Sequence, residues 1–115
     1  MSPDRLPAHI DAASIMRRAA AAGDFATILR KGDPERGSLL LVIGSRGRHF
    51  ACLERVLSLE LEGYVWQPVG PRESASSADV VSFLAKRARF DEDSWAIELD
   101  IAEPERFIAE TTRLG

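Results

Sequence analysis

"RARFDEDSWAIELD", residues 87–100, is the stretch on which the fold of this chain turns. A charged helical segment ends in it, Asp91, Glu92 and Asp93 crowd together, and a new apolar pattern starts at Trp95. In "WAIELDI", Trp95, Ile97, Leu99 and Ile101 alternate with Ala96, Glu98 and Asp100, which is the period of a strand with one buried face. A strand that follows a helix, late in a chain whose earlier part reads as strands and turns, makes the class α+β.

Working back from that strand, residues 76–89 form a helix. Ser76 with Asp79 three residues on makes a capping-box-like start, and Val80, Val81, Leu84 and Ala88 supply an apolar face. "GPRESASS", residues 70–77, is the flexible connection into it. Before that come "HFACLERVLSLELE" and "YVWQPV", two extended segments split by Gly63, the second closed by Pro68. "LLLVI", residues 39–43, is apolar throughout and reads as a central strand with both faces covered. "GSRG" turns it into its successor. "FATILRK" is a further strand, and "GDPERGS" a hairpin loop made of turn-forming residues.

At the front, "DAASIMRRAAAAG", residues 11–23, is a helix with Asp11 as N-cap, Gly23 as terminator and Ile15, Met16 and Ala19 on one face. Residues 1–9 read as a mobile N-terminal segment. Beyond the fifth strand, Pro104 fits the first turn of a terminal helix carrying Phe107, Ile108, Thr111 and Leu114. The order is α-β-β-β-β-α-β-α. Short turns between the first four strands predict an antiparallel meander, giving a five-stranded, mostly antiparallel sheet with the helices on one face. At 115 residues the chain is expected to form one domain.

Charge and composition narrow the function classes. Residues 1–58 carry nine Lys/Arg against six Asp/Glu and residues 59–115 six against twelve, so the second half repels a polyanion and no nucleic acid is expected as partner. No apolar run is long enough to span a bilayer, and the first residues lack the basic-then-apolar order of a signal peptide, so no membrane role is expected. A single cysteine, Cys52, cannot close an internal disulfide and suits a reducing cytoplasm.

The chemical motifs are weak. "GDPERGS" spaces its glycines as a phosphate loop does but lacks the lysine and the following helix. His49 and Cys52 are three apart on one strand, a spacing that sends them to opposite faces, and Cys52 reads as buried and inert. His9 falls in the mobile segment. Asp91, Asp93 and Glu98 lack the turn glycine and terminal glutamate of a calcium loop. Glu98 and Asp100 share a strand face with Cα atoms ~7 Å apart, close enough to share a cation. Against that, Asp91 and Asp93 can fix the turn or pair with Arg87 and Arg89.

"IMRRAAAAG", "LRKGDPERG" and above all "RFDEDSWAIELD" resemble a small bacterial family, the domain of unknown function numbered 1491. Its pattern combines an Arg pair in the first helix, a "KGD" or "RGD" turn, and a Phe-Asp-Pro-Asp-Leu-Trp segment running into an acidic strand. The likeness spans about Ala13 to Ile108. Glu92 stands where that pattern has Pro, and Ser94 where it has Leu. The resemblance implies an α/β architecture and brings no reaction, cofactor or partner with it.

The expected function is therefore a small cytosolic non-catalytic binding or adaptor protein, with no cofactor, whose partner is another protein or a second copy of itself. The expected surface is a sheet edge or an aromatic–Arg patch of Arg30, Tyr64 and Trp66, with Arg89, Asp91, Asp93, Trp95 and Glu98 as further binding candidates. The alternative is a metal-assisted hydrolase built on Asp91, Asp93 and Glu98, with Asp100 as an optional fourth ligand.

Overall fold

The structure is a computed structural model, and it describes residues 6–112. Three helices and five strands alternate as α1 (Ala8–Ala21), β1 (Phe25–Arg30), β2 (Leu39–Ser45), β3 (Arg48–Ser58), β4 (Gly63–Val69), α2 (Ser77–Phe90), β5 (Trp95–Asp100) and α3 (Pro104–Thr111). The element order and α+β class are those expected from the sequence. Leu114 lies outside the described residues. Among those described, no helix is long and apolar enough to cross a membrane.

The sheet is not the predicted meander. Its strand order is β1-β5-β2-β3-β4, with β5 inserted between β1 and β2, antiparallel to the first and parallel to the second. Burial explains the insertion. Leu39 to Ile43 are all buried, as are Trp95 to Ile97, so β2 needs neighbours on both sides and cover on both faces, and β5 needs the same over its first half. The mostly exposed β1 takes the edge. Residues 31–38 are thus a crossing loop over the end of β5, not a hairpin loop.

Helices cover both faces, not one. On one side Ala8, Ala12 and Ile15 of α1 and Phe107 and Ile108 of α3 pack on Leu39, Leu41, Ile43, Leu53, Trp95, Ile97 and Leu99. On the other, Val80, Phe83 and Leu84 of α2 lie over Leu40, Val42 and Cys52. The apolar face of α2 was legible in the sequence; the side of the sheet it meets was not.

Local signals explain most boundaries. Ser76 caps α2, its hydroxyl accepting the Asp79 amide at 3.1 Å. Arg46 (φ 53°) and Gly47 (φ 80°) form the two-residue hairpin turn between β2 and β3 that matches sheet twist. α1 starts three residues before the expected N-cap: Pro7 is the N-cap, Ala8 is fully buried, and the His9 amide and Nδ1 both donate to the Pro34 carbonyl oxygen (each 2.9 Å). The crossing loop thus docks the helix start, and His9 lies in the first turn of α1. Asp11 caps nothing and pairs with Arg55 instead. β3 stops at Ser58, leaving Leu59 in an exposed turn instead of the predicted continuing strand.

Candidate functional site

The carboxylates around Trp95 do not converge. Asp91 ends α2, and both its oxygens work inside the chain: Oδ2 accepts the Ser38 hydroxyl (3.0 Å) and Oδ1 the Asp93 amide (3.1 Å). Asp93 contributes through its backbone, its carbonyl accepting the Asp33 amide (2.9 Å), while its side chain is exposed. Arg87 turns to Glu54 on β3 instead of toward the two aspartates. Among the described residues no group of three or more His, Cys, Asp or Glu is placed to hold a metal ion.

The two motifs clasp each other. Trp95 Nε1 donates to the Asp33 carbonyl and the Trp95 amide to the Ser38 carbonyl, both at 2.8 Å. Arg30 Nη2 donates to the Glu92 carbonyl at 2.8 Å. Asp33 Oδ2 accepts the Arg36 amide (2.7 Å), which folds the loop back. Gly32 and Gly37 flank that loop because a Cβ at either would overlap the Asp93 carbonyl oxygen. Arg30, Asp91, Asp93 and Trp95 are therefore parts of one backbone lock. Trp95 belongs to the α1 side of the sheet, so it does not pin α2, and Phe90 at 81 % exposure pins nothing. Arg89 is exposed in the last turn of α2.

Tyr64 and Trp66 lie on β4, at the opposite edge from Arg30 on β1, so the three form no patch. The cation they hold is Arg55, whose guanidinium sits 5.6 Å from the Tyr64 ring centre and 5.5 Å from that of Trp66. Its Nη2 also donates to Asp11 Oδ2 at 2.7 Å, which ties α1 to the sheet. Arg55 was missed in the sequence, although its even spacing from Leu53 put it on the covered face.

His49 and Cys52 share a side of the sheet, against the expectation from their spacing. A β-bulge between Ile43 and Gly44 pairing leaves Phe50 as the extra residue and reverses the alternation. His49 then borders the α2-side cleft while Cys52 sits under α2. His49 Nε2 donates to the Pro71 carbonyl (3.1 Å). Burial pushes the Cys52 thiol up to about 11, with Arg87 opposing weakly, so the thiolate is suppressed at neutral pH.

What remains is a cleft of about 390 Å³ between α2 and the β1–β5 side of the sheet, in the size range of ligand sites. Leu29, Val42, Val80, Val81 and Leu84 make its apolar walls, and Glu98 and Asp100 stand along it with exposed side chains. At one end Arg48 borders it, but that guanidinium is bound to Glu73 and stacked on Phe50. Neither Glu98 nor Asp100 has an ion-pair partner among the described residues; Asp100 only accepts the Arg46 amide at 3.4 Å. Glu98 was a candidate from the sequence. Leu29 and Val81 were not, because the facing of Leu29 depends on a bulge against β5 that no local pattern announces.

A family model described as "Protein of unknown function (DUF1491)" matches residues 6–109. The crystal structure of a DUF1491 family protein from Caulobacter crescentus CB15 is 31% identical, covers 84% of this chain and 86% of that one, and superposes with a TM-score of 0.68. An NMR structure of a DUF1491 family protein from the same organism is 27% identical over 86% of this chain and 88% of that one, with a TM-score of 0.72. The solution structure of protein Atu0922 from A. tumefaciens, at 21% identity over 87% and 89% of the two chains and a TM-score of 0.72, shares the fold. None of the curated proteins matches the chain.

Proposed function

The chain belongs to the DUF1491 family of proteins of unknown function, and from that premise we propose that it is a small non-catalytic binding module of the reducing cytoplasm. Its site is the cleft between α2 and the β1–β5 side of the sheet. Its occupant is an extended segment of a partner protein carrying alternating apolar and basic side chains.

One observation carries this reading: Glu98 and Asp100 lie two residues apart along a cleft whose walls are mainly apolar, and no side chain among those described forms an ion pair with them. Residues i and i+2 of an extended segment repeat at the same ~7 Å, so two basic side chains can meet the two carboxylates in register. Apolar neighbours of such a segment would enter between Leu29, Val81 and Leu84. The non-catalytic part is supported by the occupation of the reactive groups: Cys52 is buried, His49 is bound to a carbonyl, and Asp91 uses both oxygens within the chain.

Amide-resolved NMR titration with a hexapeptide alternating leucine and lysine tests it, with a leucine–glutamate hexapeptide as the counterpart. The lysine peptide should shift Leu29, Val81, Leu84 and Glu98 saturably and more weakly as salt rises. A Glu98→Lys, Asp100→Lys variant should lose it. Equal binding of both peptides, or shifts confined to other surfaces, would overturn the reading.

A further inference from the structure

We propose that β1 is the seam of a symmetric dimer, in which β1 of a second copy adds antiparallel to β1 and joins the two sheets into one of ten strands. The surface adjoins the cleft at Leu29, and the inference does not depend on what the cleft binds.

Edge strands in monomers are blunted by charge, proline, bulges or strong twist, because unpaired backbone groups recruit other chains, and the one bulge of β1 falls at Leu29 near its end. The two edges of this sheet differ in that respect. β4 carries Pro68 and Gln67. In β1 the five residues Phe25 to Leu29, "FATIL", contain no charge, proline or glycine. Phe25 is 73 % exposed, Leu29 45 % and Ile28 39 %, an apolar rim on an open backbone edge.

The ends of the strand choose its partner. Asp24 precedes it, and Arg30 and Lys31 finish it, so the charges are opposite at the two ends. Parallel pairing with an identical strand would set like charges together; antiparallel pairing brings the Asp24 end of each strand to the Arg30–Lys31 end of the other. The uncharged run from Phe25 to Leu29 centres the pairing on Thr27. In that register Thr27 meets its own copy on the two-fold axis, Phe25 meets Leu29, and Ala26 meets Ile28. Phe25 pairs with Asp100 and Thr27 with Glu98 within the subunit, and Leu29 lines the cleft, so Phe25, Thr27 and Leu29 share the α2 side. Each exposed Phe25 is therefore covered by an apolar side chain on its own face, as cross-strand pairing requires. The isologous geometry closes at two copies and leaves no free β1 edge.

Analytical ultracentrifugation across a concentration series, with Thr27→Lys and Thr27→Cys variants, tests this. Wild type should sediment as two chains at the upper concentrations. Thr27→Lys puts like charges face to face on the axis at an exposed position, so it should sediment as one chain with unchanged circular dichroism. Thr27→Cys should cross-link to a dimer on mild oxidation, since directly opposed residues have Cα atoms ~4.5–5.5 Å apart, within disulfide reach. Ser82→Cys, exposed on α2, is the control and should cross-link far more slowly. A wild type that stays a single chain throughout, or equal cross-linking of Thr27→Cys and the control, would sink the proposal while leaving the peptide titration to judge the cleft.

Discussion

Among single residues, the lock between the crossing loop and the Trp95 turn separates positions that look alike in sequence. Asp91 and Asp93 are both acidic and two apart, yet one works through its carboxylate and the other through its carbonyl. Asp91→Ala should cost about 0.5–2 kcal/mol, as losing a cap does, and Asp93→Ala within about 0.5 kcal/mol of nothing. Gly32→Ala and Gly37→Ala should each cost about 1–3 kcal/mol or more, because the added methyl meets fixed backbone. Urea denaturation of the four variants checks the ranking, and an Asp93 effect as large as that of Asp91 would contradict it. Cys52 adds a pH dependence. Its thiol ionises near 11 in the fold against 9.0 when unfolded, so the unfolded chain loses its proton first. Stability should be unaffected by this group below pH 9, then fall by roughly 2–3 kcal/mol as pH rises from 9 to 11. Comparing wild type with Cys52→Ala across that window isolates the effect, and parallel pH profiles would refute it.

For whole elements, the helices test how burial is divided between the two faces of the sheet. Trp95 is 2 % exposed and its indole N–H is bound, so Trp95→Ala should cost about 3–5 kcal/mol. Phe90, equally apolar and five residues earlier, is in solvent, and Phe90→Ala should change stability by less than about 0.5 kcal/mol. Thermal denaturation of the pair decides it; comparable losses would mean that Phe90 packs as its hydrophobicity suggests. This contrast marks what could be read in the sequence. Ser76 and Asp79 announce α2, Pro104 announces α3, and the alternation from Trp95 announces β5, because each signal is local and stereochemical. The position of Phe90 depends on the phase of a helix end against a sheet, and the neighbours of β1 depend on a strand sixty-odd residues away. The acidic cluster illustrates the same limit. Its residues were legible as turn-formers, but their partners, Ser38 and Asp33, lie in a loop that reaches them only because β5 enters between β1 and β2.

At the scale of the molecule, that insertion sets the order in which the structure can open. β2 lies inside the sheet with cover from both faces, β5 lies inside it with its Trp95, Ile97 and Leu99 face covered, and β5 alone hydrogen-bonds β1 to the other strands, so β5 cannot leave without breaking the sheet in two. α2 is attached more lightly. None of its residues is buried, and it holds the sheet through Val80, Phe83, Leu84 and the Arg87–Glu54 pair at 3.2 Å. β4 is an edge strand with a proline in its ladder. Free energies of local opening follow contact with the core, so native-state hydrogen exchange should divide the molecule. Amides of Leu41 to Ile43 and of Ile97 to Leu99 should exchange only with global unfolding, with the denaturant sensitivity of the whole molecule. Amides of α2 and of β4 should open earlier and with weak denaturant dependence. If α2 amides exchange as slowly as those of β5, the helix is a full partner in the cooperative core, and the cleft beneath it has rigid walls. If they open first, as expected, the wall formed by Val81 and Leu84 can yield to an incoming segment while the β5 floor carrying Glu98 and Asp100 stays in place.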